Sequence, residues 1–186
     1  MNDILKAIRE RCSCRNFEEQ LPTDEQLTAV AQAAIQSPSG MNRQFWHVIV
    51  LTNKELISEM EKEGLSNLRN IDASFYQHII SRNGTLFNHA PCMVFFAIKT
   101  AQPAGAELID LGVIAQTTVL AATSLGLASL HCGNVAFAFA GNKNEYFKER
   151  LGFPLGFECG MAVLLGYAKS TSMPHEPVQS KISYVR

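Results

Sequence analysis

Hydrophobic residues near the start of the chain repeat at the spacing of an α-helix. Apolar side chains three and four positions apart predict a short helix over residues 3–9 and a longer one that follows Thr23 and stops at Pro38. Thr23 and Gln26 have the spacing of a capping box, in which each side chain bonds the backbone N–H of the other residue. The pattern therefore predicts two helices before the first strand.

Later in the chain, continuous apolar runs alternate with helical patterns. Such runs predict four strands, at residues 46–51, 92–98, 127–132 and 160–167. The run 92–98 is apolar at every position, which is typical of a central strand covered on both faces. Residues 107–125 predict a long helix with almost no polar face, hence a helix of the core or of a dimer interface. The fold class is α+β, with a small mixed sheet packed by helices.

Two segments are harder to interpret. After residue 52 the pattern predicts a helix that Gly64 closes, followed by a polar excursion or lid over residues 65–90. The tail, residues 169–186, begins polar, and its apolar and polar residues then alternate. This pattern favours an added edge strand, on the sheet of this subunit or of a partner subunit. We expect one domain, residues 1–168, and a separate tail.

Composition narrows the class of partner. The 186 residues suit a single core, and the net charge of -1 removes the electrostatic reason to expect nucleic acid or an anionic membrane as partner. The unbroken apolar stretches are short and charges occur within the first ten residues, so we expect neither a membrane span nor a signal peptide. Five cysteines without a regular framework indicate reduced thiols and a cytoplasmic location.

The first candidate site is the segment from Arg11 to Arg15. If it is extended, Arg11, Ser13 and Arg15 point to one side, with roughly 6.6 Å between alternate residues, and they could converge on one anion. A phosphate suits two guanidinium groups and a hydroxyl. The alternative is a solvated basic turn. The nearby cysteines have no second pair at a zinc spacing, so no metal is expected.

The second candidate is the loop over residues 38–46. Its amides, Asn42 and Gln44, could both face the edge of a planar heterocycle that carries carbonyl or imide groups. Alternatively, the amides satisfy backbone groups of their own loop. On sequence grounds both interpretations stay open.

The third candidate is the end of the strand at residues 127–132. His131 and Cys132 are adjacent, so on a strand they point to opposite faces and are poorly placed to form a nucleophile pair. Gly133 then lets the backbone approach a ligand closely. The sequence contains neither the glycine pattern of a Rossmann fold nor that of a P-loop.

Together, the three segments resemble the FMN-dependent nitroreductase family over nearly the whole chain. Arg11-x-Ser13-x-Arg15-x-Phe17 is similar to the family's amino-terminal phosphate signature, and the run from Pro38 to Trp46 to its second signature, P-S-x-x-N-x-Q-P-W. Asp110 and Gln116 on the long helix also fit the pattern. Two departures are Phe45 in place of the usual proline and His131-Cys132 before the glycine.

The resemblance implies an intertwined homodimer that binds FMN between subunits and exchanges its C-terminal tails. By position, the implied contacts with the phosphate and ribityl chain are Arg11, Ser13 and Arg15. A basic residue of the tail, Lys181 as the first match or Arg186 as the second, would also reach the phosphate. The implied contacts with the ring and ribityl chain from the other subunit are Pro38, Ser39, Gly40, Asn42 and Gln44, and those beside flavin N5 are Cys132 and Gly133. The substrate pocket would be lined by Phe75, Tyr76 and Phe87.

The activity implied by this resemblance needs no side-chain nucleophile. It is a ping-pong hydride transfer from NAD(P)H through flavin N5 to nitroaromatic, quinone or related electron-poor acceptors. The alternatives are a specialised relative, which destroys flavin, removes halogen or takes electrons from ferredoxin, and a non-catalytic protein that senses or stores FMN.

Overall fold

The computed structural model describes residues 2–99, 105–170 and 172–186. Seven helices and four strands lie along these residues. In chain order they are α1 (Asp3–Glu10), α2 (Asp24–Ile35), β1 (Trp46–Leu51), α3 (Lys54–Ile71), α4 (Ala73–Arg82), β2 (Cys92–Ile98), α5 (Ala106–Ser124), β3 (Ala128–Cys132), α6 (Ala136–Phe139), α7 (Asn144–Leu151) and β4 (Glu158–Gly166). The α+β class and all four predicted strands are confirmed. The predicted capping box between Thr23 and Gln26 at the start of α2 is present as well.

The four strands form one sheet in the order β1-β2-β4-β3. Each neighbouring pair is antiparallel, so the expectation of a mixed sheet is wrong for these strands. The first pair shows why. The connection through α3 and α4 returns to the end of the sheet where β1 stops, so β2 first pairs at Met93, opposite Leu51, and runs antiparallel to β1. A parallel pairing does occur, as the isolated bridge between Ser13 and Ser129.

Both faces of the sheet are covered by helices, which gives two hydrophobic clusters. Along β2, Met93 and Phe95 belong to the cluster under α3, α6 and α7, while Val94 and Phe96 belong to the cluster under α2 and α5. Every residue of β2 from Cys92 to Ala97 is buried, as expected for a central strand. The alternation of the pleat therefore divides one apolar run between two cores.

The segment after β1 differs from the prediction. Helix α3 passes through Gly64 to Ile71, and α4 follows after Asp72, so residues 65–71 and 73–82 are helical instead of a polar excursion. A Cβ on Gly64 would lie 2.9 Å from Cδ1 of Leu86 and 3.3 Å from the backbone nitrogen of Ala138. Gly64 therefore permits close packing inside a helix and does not end it.

The predicted edge strand of the tail is not formed within residues 172–186. This part of the chain holds only a 3-10 turn, Gln179–Lys181. The alternating residues Val178, Ile182 and Tyr184 are 58%, 57% and 78% exposed. Among the described residues, no strand pairs with this segment, and its pairing with a partner subunit stays a prediction.

Helix α5 is long and apolar enough, by length and composition, to pass a test for a membrane span. In this fold it packs against α2, α1 and the sheet, and Ile114, Ala115 and Val119 are almost completely buried in the core. The core helix of a globular domain has the same composition, which agrees with the predicted core role of α5.

Candidate functional site

The segment from Arg11 to Arg15 runs beside the edge strand β3. Ser13 forms a parallel bridge with Ser129, and the backbone N–H of Cys14 donates to the carbonyl of Ser129 at 3.0 Å. The side chain of Arg15 is exposed and donates to the carbonyl of Ser13 at 3.4 Å, whereas Arg11 is half-buried at the end of α1. These contacts hold the segment extended, which the phosphate interpretation requires.

A cleft of about 330 Å³ opens next to this segment. It is lined by Arg15 and by residues from three parts of the fold: one face of α4, the connection between α4 and β2, and the end of β3 with the turn that follows. They are Arg15, Phe75, His78, Ile79, Arg82, Asn83, Thr85, Leu86, Asn88, Leu130, His131, Cys132, Gly133 and Asn134. The cleft thus brings together three predicted cofactor contacts, Arg15, Cys132 and Gly133.

His131 and Cys132 point to opposite faces of β3, as expected. Burial and the nearby Arg11 guanidinium lower the pKa of His131, while a hydrogen bond with the Ala115 carbonyl opposes this change. Cys132 lies in the hydrophobic cluster under α3, α6 and α7. Burial there raises the pKa of its thiol to about 12, and Sγ donates to the Leu86 carbonyl at 3.8 Å. A thiol in this state is not a nucleophile, so Cys132 can serve the cleft only through its backbone.

The loop before β1 has an unusual backbone conformation. Met41, Asn42 and Gln44 have positive φ angles of 57°, 54° and 49°. The backbone N–H of Gln44 donates to Oγ of Ser39 at 2.9 Å, and its side-chain Nε2 donates to Oδ1 of Asn42 at 3.1 Å. The amides thus bond to each other at the surface, with Pro38 and Gly40 also exposed. This conformation costs free energy and depends on support from the rest of the fold.

That support includes Asp110 on α5, which fits the family pattern in the sequence but whose role the sequence does not indicate. Its Oδ1 accepts a hydrogen bond from the backbone N–H of Gly40 at 3.1 Å. Asp110 is only 7% exposed, and its Oδ2 is buried without a hydrogen-bond partner in the described part of the chain. The signal in the sequence is a carboxylate among the apolar residues of α5, beyond the first turn that holds Glu107.

The loop and the segment from Arg11 to Arg15 lie at opposite edges of the sheet. The loop leads into β1, whereas the segment lies beside β3, and β2 and β4 separate these two strands. At the usual strand spacing, β1 and β3 are roughly 14 Å apart. One chain therefore does not bring its two predicted cofactor-binding segments together.

The remaining predicted residues have different environments. Phe75 lines the cleft, whereas Tyr76 is half-buried with the Arg69 guanidinium 6.0 Å from its ring centroid. Phe87 is 1% exposed and packs in the core, which argues against contact with a molecule in the cleft. Lys181 is exposed in the 3-10 turn of the tail.

Glu61 of α3 supports the connection that borders the cleft. Its two carboxylate oxygens accept hydrogen bonds from the backbone N–H groups of Leu86 and Phe87, the latter at 3.0 Å. The next residues, Asn88 and His89, have positive φ angles. Burial raises the pKa of Glu61, and the backbone hydrogen bonds oppose this increase. The carboxylate thus holds a strained connection from the core side.

Comparison with known proteins identifies relatives along most of the chain. The model of the nitroreductase family matches residues 8–167. A nitroreductase from Desulfitobacterium hafniense, crystallised with bound FMN, is 52% identical, with a TM-score of 0.95 and complete coverage of both chains.

More distant curated relatives come from archaea. A protein named as an NADH dehydrogenase/NAD(P)H nitroreductase from Archaeoglobus fulgidus is 25% identical over 91% of this chain and 87% of its own length. A protein of the same name from Methanothermobacter thermautotrophicus is 24% identical over 70% of this chain. This second alignment spans only 61% of that relative's length.

Proposed function

Because the chain belongs to the nitroreductase family, we propose that it is an FMN-dependent oxidoreductase that uses NAD(P)H. When bound, FMN would supply hydride transfer from the nicotinamide to nitroaromatic, quinone or related electron-poor acceptors. The residues described below would bind and orient it. The observation that carries the proposal is that the extended segment from Arg11 to Arg15 lies beside β3 and ends at Arg15, which lines the cleft at the end of this strand.

The residues of this cleft and of the segment beside it fit the chemical groups of FMN. Arg11, Ser13 and Arg15 offer charged and hydroxyl donors on one extended segment, which suits a phosphate and the adjoining ribityl chain. Gly133 is exposed and starts a turn without a side chain, so a flat ring can approach the backbone N–H groups there. Cys132 would contribute in the same way, through its backbone alone.

The second half of the site would come from another copy of the chain. The separation of β1 from β3 favours a site between subunits, in which Pro38, Ser39, Gly40, Asn42 and Gln44 of one subunit meet the cleft of the other. Apolar side chains for such an interface are exposed on two adjacent helices. They are Ile4, Leu5 and Ile8 of α1 and Leu108 and Ile109 of α5. The tail would cross to the partner, with Lys181 near the phosphate.

An absorption spectrum of the purified protein, followed by anaerobic addition of reductant, tests this function. We expect a flavin band, either as purified or after incubation with FMN, and rapid bleaching by NADH or NADPH. Protein that stays colourless with FMN would refute the cofactor. Bleaching by reduced ferredoxin alone would indicate a different electron donor. Slow reduction by every donor, with tight FMN binding, would indicate a non-catalytic flavoprotein.

A further inference from the structure

One face of α4 forms a wall of the cleft. Phe75, His78, Ile79 and Arg82 stand at positions i, i+3, i+4 and i+7 and all line it. This spacing brings the four side chains onto one side of a helix. The wall therefore presents an aromatic ring, an imidazole, an aliphatic side chain and a guanidinium to whatever enters.

The cleft is positively charged although the whole chain carries a net charge of -1. Its lining contains Arg15 and Arg82 but neither aspartate nor glutamate. Within residues 2–99, 105–170 and 172–186, neither arginine forms a salt bridge. If Arg15 binds the FMN phosphate or ribityl chain as proposed, Arg82 is the positive charge left for a second molecule. Low-dielectric walls strengthen its attraction for an anion.

Phe75 lies at the end of this wall opposite Arg82, and its ring is held in place by two neighbouring rings. Its ring stacks on His78, with centroids 6.3 Å apart and an interplanar angle of 18°, and contacts Phe137 at 6.1 Å. Arg82 lies seven positions after Phe75 in the helix, about 10.5 Å along the axis. The side chain of Arg82 leans toward the N-terminus of α4, as all helical side chains do, which shortens this span.

We propose that the α4 wall selects a planar molecule that carries an anionic group, with Arg82 as the specificity-determining residue. The ring would pack near Phe75 and His78, and the anion would bind the guanidinium of Arg82. This inference rests on the proposed function, since the molecule would be one that exchanges electrons with bound FMN. The anionic group has two sources, a carboxylate on an aromatic acceptor or the additional phosphate of NADPH.

Matched acceptors and donors distinguish these two sources. The acceptors 4-nitrobenzoate and 4-nitrobenzyl alcohol differ in that only the first carries a negative charge. The donors NADPH and NADH differ by one phosphate group. In Arg82→Gln we expect a roughly tenfold higher KM for one charged molecule, with kcat nearly unchanged, and little effect on its less charged counterpart. An effect on 4-nitrobenzoate assigns the anion to the acceptor, and an effect on NADPH assigns it to the donor. Arg82→Lys should recover part of the loss.

Arg69→Gln is the matched control, because it removes the same charge from α3, outside the cleft. Benzoate binding, measured as a perturbation of the oxidised flavin band, gives a readout without turnover. If the anion belongs to the acceptor, this binding should weaken in Arg82→Gln and not in Arg69→Gln. Equal changes for charged and uncharged acceptors and for both donors would overturn the inference, as would equal effects of the two variants. If the flavin band is absent from the unaltered protein, the proposed function fails first and the inference with it. An intact band with unchanged selectivity removes the inference alone.

Discussion

The carboxylate of Asp110 accepts a hydrogen bond from the backbone N–H of Gly40 across 3.1 Å, and this contact joins α5 to the loop before β1. The loop contains three residues with positive φ angles, so its shape depends on such anchors. In the proposed dimer this loop faces the partner's FMN. Asp110 would then act on the cofactor through the position of the loop.

Replacement of Asp110 tests this connection. Asp110→Ala should weaken FMN binding by roughly tenfold. The substitution leaves the Gly40 N–H without its acceptor and the loop without this anchor, which costs about 1–3 kcal/mol. Asp110→Asn keeps an oxygen that can accept from Gly40 and should restore most of the affinity. The measurement is a titration of FMN fluorescence. Thr118→Val is the control: it removes a buried hydroxyl from α5 that bonds only to Ile114, away from the loop. A lower Tm with unchanged FMN affinity in Asp110→Ala would reduce Asp110 to a purely structural residue.

Arg11→Ala should lower FMN affinity while the fold survives. Loss of a charge-assisted hydrogen bond to a phosphate costs about 1.5–3 kcal/mol, which corresponds to roughly 10- to 150-fold in the dissociation constant. Arg9→Ala provides the comparison, since Arg9 is an exposed cation in the last turn of α1. The same fluorescence titration, with a circular dichroism spectrum of each variant, checks the result. Equal affinities of the two variants would contradict the phosphate role of Arg11.

The pH dependence of stability should change when Glu61 is replaced. Its pKa is raised in the folded state from the ordinary value of 4.5, so the folded chain binds the proton more readily than the unfolded chain. The resulting stabilisation is complete below pH 4.5 and is lost as pH rises through the raised pKa. The Tm of Glu61→Gln relative to that of the unaltered protein should therefore rise as the pH rises above 4.5. Thermal scans of FMN-free protein measure this difference.

The control for that experiment is Glu149→Gln, which alters an exposed carboxylate of α7. Its Tm difference from the unaltered protein should change little over the same pH range. A flat difference for Glu61→Gln would indicate that the carboxylate does not retain its proton more strongly in the folded chain.

Gly160 lies at an irregularity of β4, since Phe96 pairs with Met161 and Ala97 pairs with Cys159. A Cβ at Gly160 would approach the Phe96 carbonyl oxygen to 2.8 Å, and a backbone atom inside the sheet cannot move away cheaply. We expect Gly160→Ala to destabilise the fold by about 1–3 kcal/mol. Urea unfolding of FMN-free protein measures it. Gly40→Ala, where a Cβ meets open space, should have little effect, and equal losses in both variants would contradict the steric argument.

The proposed dimer interface is tested at Ile109. This side chain is 72% exposed on α5, and in the dimer it would be buried. Ile109→Asp should shift the sedimentation profile toward monomer, because a buried unpaired charge is costly. Leu155→Asp introduces the same charge at a fully exposed residue beyond α7 and should leave the profile unchanged. Dimer formation by Ile109→Asp equal to that of the unaltered protein would exclude this face of α5.

The sequence predicted the local parts of the fold well. All four strands and the buried character of β2 follow from apolar runs, and the capping box at Thr23 follows from two residues three positions apart. For the candidate site, it indicated an extended segment from Arg11 to Arg15, and Ser13 in this segment forms a parallel bridge with Ser129. Each of these features has a sequence signal carried by residues close together in the chain.

The sequence did not decide the role of Gly64, because a glycine in a helical pattern is compatible with both a helix end and a close contact. Leu86 and Ala138, far along the chain, settle it. Likewise, nothing local indicates that Arg82 shares a cleft with Arg15, or that Asp110 reaches Gly40. The strand order, which separates the two predicted cofactor segments, also depends on pairings between distant residues. The sequence by itself therefore determined the elements and their chemistry, while only the tertiary structure decided which chemical groups meet.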